Sequence, residues 1–184
     1  MGNKRTKGLM QLQDKHRIAL LSAYALALHG FESLIPMPIP WMKIGLANII
    51  SLTTFILFGF RAAMTVTLIR VLIASLFSGS FPGPGFILSM GGGISSVVAV
   101  EIISYLSRRL FGPVGLSLVG ALFHNLTQLF LAYVLFIQKI EPVLIITPVL
   151  VLIGTVTGLI NGLVCDLLLK GLKNNSVTIQ NTLR

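Results

Sequence analysis

Apolar residues along this chain are gathered into long runs, at about 17–35, 44–60, 62–81, 86–107, 113–137 and 142–169. Roughly 20 mostly apolar residues are needed to cross the hydrocarbon core of a bilayer. The pattern therefore predicts an all-α polytopic membrane protein with a bundle of about six transmembrane helices. Breaks between the runs are well marked in three places: Pro36, Pro38 and Pro40 after the first, Pro82-Gly83-Pro84-Gly85 after the third, and Gly112-Pro113 after the fourth. The second and third runs are divided only by Gly59-Phe60-Arg61, so the count of six rests on that division.

Composition agrees with the pattern. The 184 residues are 54% hydrophobic and only 10% charged, with a mean hydropathy of +0.91, whereas soluble domains carry about 25% charged residues. The formal net charge of +9 raises the question of nucleic acid, but the basic residues lie between apolar runs and form no aromatic-interleaved patch, so no nucleic-acid partner is expected. Their distribution sets an orientation instead. With the N-terminus in the cytoplasm, Lys4, Arg5, Lys7, Lys15, Arg17, Arg61, Arg108, Arg109, Lys170, Lys173 and Arg184 lie inside, Lys43 and Lys139 lie outside, and Arg70 falls within a span. Both termini are then cytoplasmic, with a basic tail at 1–16, one membrane domain at 17–170 and a short tail at 171–184.

Strongly polar residues at membrane depth cost about 2.5–3.5 kcal/mol each on insertion scales, so each one needs a partner or a task. Arg70 and Glu101 sit at similar heights above Arg61 and Arg108, which suggests an ion pair between the third and fourth helices; the alternative is that Arg70 receives an anionic substrate group. His124, Asn125, Thr127 and Gln128 cluster in the fifth span, three of them on one face through the 124/127 and 124/128 spacings. That stripe either lines a binding site or joins helices through hydrogen bonds. Asn48, Thr53-Thr54 and Asn161 are further polar candidates, and Asp166 and Lys170 form a candidate interfacial pair. The stiff loop Ile35–Lys43 reads either as a lid over an outward pocket or as an interfacial loop anchored by Trp41. Gly91-Gly92-Gly93 permits close approach of a helix or ligand. Two stripes of small residues, Gly154, Gly158, Gly162 and Ala19, Ala23, Ala27, mark packing faces, used internally or, for the alanines, to dock a partner.

Several chemistries are not encoded. The chain has no G-x-x-x-x-G-K-[ST] loop for ATP. Cys165 is the single cysteine, which leaves no cysteine cluster or haem signature. His124 has no evident second metal ligand, and the only aspartates are Asp14 and Asp166, too few for the aspartate-rich Mg²⁺ sites of prenyl-transferring enzymes. No catalytic residues, cofactor or metal are expected.

The segment Lys43-Ile44-Gly45-Leu46-Ala47-Asn48 after a Pro-rich loop, Leu68-Ile69-Arg70-Val71-Leu72 and the Ser78-Gly79-Ser80 turn resemble the Gx transporter family of bacteria, also described as heptaprenyl diphosphate synthase component I. The resemblance covers roughly residues 15 to 172. Members of that family are similar to the S components of energy-coupling factor (ECF) transporters, small six-helix proteins of the plasma membrane. The resemblance implies capture of a vitamin-like or flavin/quinone-precursor molecule from outside, with energy supplied by a separate transmembrane coupling protein and ATPase subunits. It also implies a partner-docking face at Ala19, Ala23 and Ala27, and a ligand site near Trp41, Lys43, the Gly91–Gly93 region with Gly92 at its centre, His124, Asn125 and Gln128; Asn48 and Arg70 join the candidate site on their polarity. The alternative is a non-catalytic accessory subunit of heptaprenyl diphosphate synthase, or of a quinone or flavin-based electron-transfer system.

Overall fold

A computed structural model of the chain describes the backbone of residues 2–33, 45–107 and 111–182, and side chains within 16–32, 45–107 and 111–173. Six α-helices follow one another: α1 (Gly2–Ser33), α2 (Leu46–Phe58), α3 (Phe60–Phe77), α4 (Pro84–Leu106), α5 (Pro113–Ala132) and α6 (Ile140–Thr182). Helix runs on through most of residues 1–16 and 171–184, the segments the sequence marks as tails.

The break that carried the helix count is made by one residue. Gly59 has φ 83° and ψ −176°, a region that is essentially closed to residues with a Cβ. Its N–H still bonds to the Phe55 carbonyl, so α2 ends cleanly and α3 begins at the next residue. Both α4 and α5 start with proline directly after an extended glycine, Gly83 or Gly112. Proline suits this first position because its missing N–H would have had no helical partner there. At its far end α5 continues into a π-helical turn, Tyr133–Ile137.

The packing has a centre and a layer. Helix α2 touches all five other helices, and six of its thirteen residues are buried. At about 1.5 Å per residue it is about 20 Å long, short of the roughly 30 Å core of a bilayer. The other layer is α4, α5 and α6 side by side, with α5 in the middle; α1 packs on α2 and α3. Glycines set the α5–α6 spacing: a Cβ on Gly162 would lie 2.6 Å from the Val114 Cα. The Gly154–Gly158–Gly162 stripe therefore packs internally.

Polarity is arranged inside out. Phe130, Leu144, Ile145 and Leu152 are exposed, whereas Glu32, Arg70, Gln128 and Asn161 are buried. Four segments, Phe60–Phe77, Pro84–Leu106, Pro113–Ile137 and Ile140–Lys173, are long and apolar enough to cross a membrane. The chain is an all-α, multi-pass membrane protein.

Candidate functional site

Because α2 and α3 form a hairpin about the single residue Gly59, residues equally far from it on either side face each other. Thr67 Oγ1 donates to Ser51 Oγ at 2.9 Å across sixteen residues. Arg70 Nη2 donates to Asn48 Oδ1 at 3.0 Å across twenty-two. Both pairs are centred on Gly59, and Arg70 is 4% exposed.

The ion pair between Arg70 and Glu101 suggested by their depths does not form. Glu101 is exposed, and the anionic group that interacts electrostatically with the guanidinium is Glu32 of α1. Helix position fixes a residue's height but not the direction in which it points. Glu32, 3% exposed, accepts the N–H of Gly45, whose φ of +81° suits a glycine. The Gly45 carbonyl in turn accepts Asn161 Nδ2 at 3.0 Å. One backbone unit at the start of α2 is thus held from both sides, by α1 and by α6.

On α4, Gly92 and Gly93 place this cluster beside α5. A Cβ on Gly93 would lie 2.8 Å from Thr67 Cγ2 and 4.0 Å from Arg70 Nη2, and one on Gly92 would lie 3.0 Å from both the His124 ring and Gln128 Cγ. Thr127 and Leu131 close in the same way on Gly91. The structure thus brings the Asn48–Arg70 pair to Gly93, and His124 and Gln128 to the neighbouring Gly92. Asn125 points elsewhere: its Nδ2 donates to the Leu150 carbonyl at 3.2 Å, joining α5 to α6, because adjacent helical residues project about 100° apart. Trp41 and Lys43 lie outside the described residues.

On α1 the alanines Ala19, Ala23 and Ala27 are exposed, while the opposite face buries Ser22, Ala25, His29 and Glu32. His29 and Glu32 escaped the sequence reading. Their signal was available, since an acidic residue inside a predicted span is a flag in itself. Lys170 and Asp166 form the expected pair at 2.6 Å. Among the described residues, no three His, Cys, Asp or Glu side chains gather as metal ligands. The cluster is suited to hydrogen bonding of a bound molecule.

The family model described as heptaprenyl diphosphate synthase component I matches residues 21–168. The chain belongs to this family. Among curated proteins none matches its sequence. Its fold is similar to that of the S component of a bacterial ECF transporter, at a TM-score of 0.72 and 22% identity, covering 89% of this chain and 97% of that one.

Proposed function

We propose that this family member is the substrate-binding membrane subunit of an ECF-type uptake system, resident in the plasma membrane with both termini in the cytoplasm. It captures a small vitamin-like or flavin/quinone-precursor molecule from outside, and a coupling protein with ATPase subunits supplies the energy. The observation that carries this reading is the set of polar groups against two neighbouring glycines of α4, Arg70 with Asn48 at Gly93 and His124 with Gln128 at Gly92, of which Arg70 and Gln128 are buried, inside a bundle whose fold is shared with an S component. Buried ionisable residues in a bilayer are costly and mark substrate pathways. The exposed alanine face of α1 supplies a smooth surface on which a partner helix approaches closely.

A second reading is favoured by the family's description: a membrane accessory subunit that helps a prenyl diphosphate synthase engage its lipid product. With Asp14 and Asp166 as its only aspartates, the chain itself is not the catalyst on this reading.

Affinity purification from the native membrane separates the two. Mass spectrometry is expected to recover a bound small molecule together with a transmembrane coupling protein and ATPases. Recovery of neither, combined with stimulation of a catalytic prenyl synthase by the purified chain, would reverse the assignment. Once the bound molecule is known, His124→Ala and Gln128→Ala are expected to weaken its binding while expression holds; unchanged affinity in both removes that stripe from the site.

A further inference from the structure

Beside the Asn48–Arg70 pair the bundle holds a partly open cavity of about 30 Å³, walled by α2 through α6. Each of these five helices contributes polar, uncharged groups: Asn48 and Ser51 from α2, Thr67 from α3, Ser96 from α4, Ser117 from α5 and Asn161 from α6. Hydroxyls on a transmembrane helix commonly turn back to their own backbone, as Thr53 and Thr147 do here. Convergence of four hydroxyls and two side-chain amides on one internal space is a different arrangement.

Asn161 gives the cavity its direction. It is 4% exposed, its Nδ2 is engaged by the Gly45 carbonyl, and its Oδ1 has no protein donor. A buried amide oxygen without a donor is costly, and the space holds about two waters. Arg70 does not itself line the space; its Nη2 is held by Asn48, which does, and its Nε has no protein acceptor. Arg70 already has an anionic counterpart, because Glu32 is equally buried and interacts electrostatically with it. An anion brought into this space would add an unbalanced buried charge.

We propose that this chamber is the inner end of the ligand site: water fills it in the absence of ligand, and it takes the uncharged hydrogen-bonding end of the ligand, a hydroxyl, carbonyl or amide, while excluding anions. The word ligand rests on the uptake reading above; hydration and charge selection do not.

The test uses the full chain in lipid nanodiscs and two thiol reagents, hydroxyethyl methanethiosulfonate, which is uncharged, and sulfonatoethyl methanethiosulfonate, which is anionic, each normalised to its rate with glutathione. The native Cys165, fully buried and hydrogen-bonded by Thr53, is the dry reference. In a Cys165→Ser background, Ser117→Cys and Ser96→Cys are expected to react with the uncharged reagent at least about tenfold faster than Cys165 does, since only a hydrated thiol ionises readily. The anionic reagent is expected to lag the uncharged one by about tenfold or more at both positions. Reaction as slow as that of Cys165 at both positions overturns the proposal, since a space closed to the uncharged reagent cannot take the uncharged end of a ligand. Equal rates for the two reagents overturn the exclusion of anions. Either variant alone supplies the reading if the other folds poorly. Labelling and partner purification fail independently, so loss of the uptake assignment leaves the chamber result standing.

Discussion

The two sides of this bundle are held together by different means. Around α2, contacts run through side-chain polarity: Glu32 to the Gly45 N–H, Asn161 to its carbonyl, Arg70 to Asn48 and Thr67 to Ser51. Across α5 and α6 contacts run largely through missing side chains, with Gly154, Gly158 and Gly162 letting α6 lie against Ala121, Leu118 and Val114. A bilayer offers no hydrophobic drive to bring helices together, so close packing and hydrogen bonds are the available forces. Here they are divided by region. The glycine side fixes distance and tolerates little added volume; the polar side fixes which groups face each other and carries the candidate site.

The sharpest way to break the comparison is on the polar side. Glu32→Gln leaves the Arg70 charge buried without its anionic counterpart and is expected to cost about 3–5 kcal/mol of stability, read as a fall in the thermal midpoint in detergent. Glu32→Gln combined with Arg70→Gln is expected to recover much of that loss, and strictly additive effects would mean that the two groups do not act as a pair. On the glycine side, Gly162→Ala drives a methyl into the Val114 backbone and is expected to cost about 1–3 kcal/mol; no measurable change would show that α6 can back away from α5.

Smaller effects refine the boundary between the regions. Asn125→Ala removes a side-chain hydrogen bond from α5 to the α6 backbone and is expected to cost about 1 kcal/mol. A loss as large as that of Glu32→Gln would move Asn125 to the polar side. Ala23→Phe, on the exposed face of α1, is expected to change stability by less than about 0.5 kcal/mol while abolishing co-purification of a membrane partner. A large loss of stability would instead make that face part of the packing.

Run lengths and breakers made the helices legible, and even the narrow division at Gly59 was correctly marked. The face formed by His124, Thr127 and Gln128 followed from helical spacing and does meet Gly91 and Gly92. Asn125 was grouped with them on proximity in sequence, yet one residue turns the side chain by about 100° toward α6. The partner of Arg70 was misread for a related reason: Glu101 shares its depth, but depth says nothing of azimuth, and the carboxylate that reaches it comes from α1. Gly45 was visible only as part of a motif. That its two backbone groups join α1 to α6 depends on tertiary placement that no local pattern encodes.

The hairpin at Gly59 has a consequence for how this sequence can change over time. Its two polar pairs are counted outward from one residue, so substitutions at either pair affect that pair alone. An inserted or deleted residue at the turn would slide one helix by about 1.5 Å and rotate it by about 100°, uncoupling Ser51 from Thr67 and Asn48 from Arg70 in one step. Length at this point is therefore held tightly, and relatives that keep the pairs should keep the number of residues from Asn48 to Arg70.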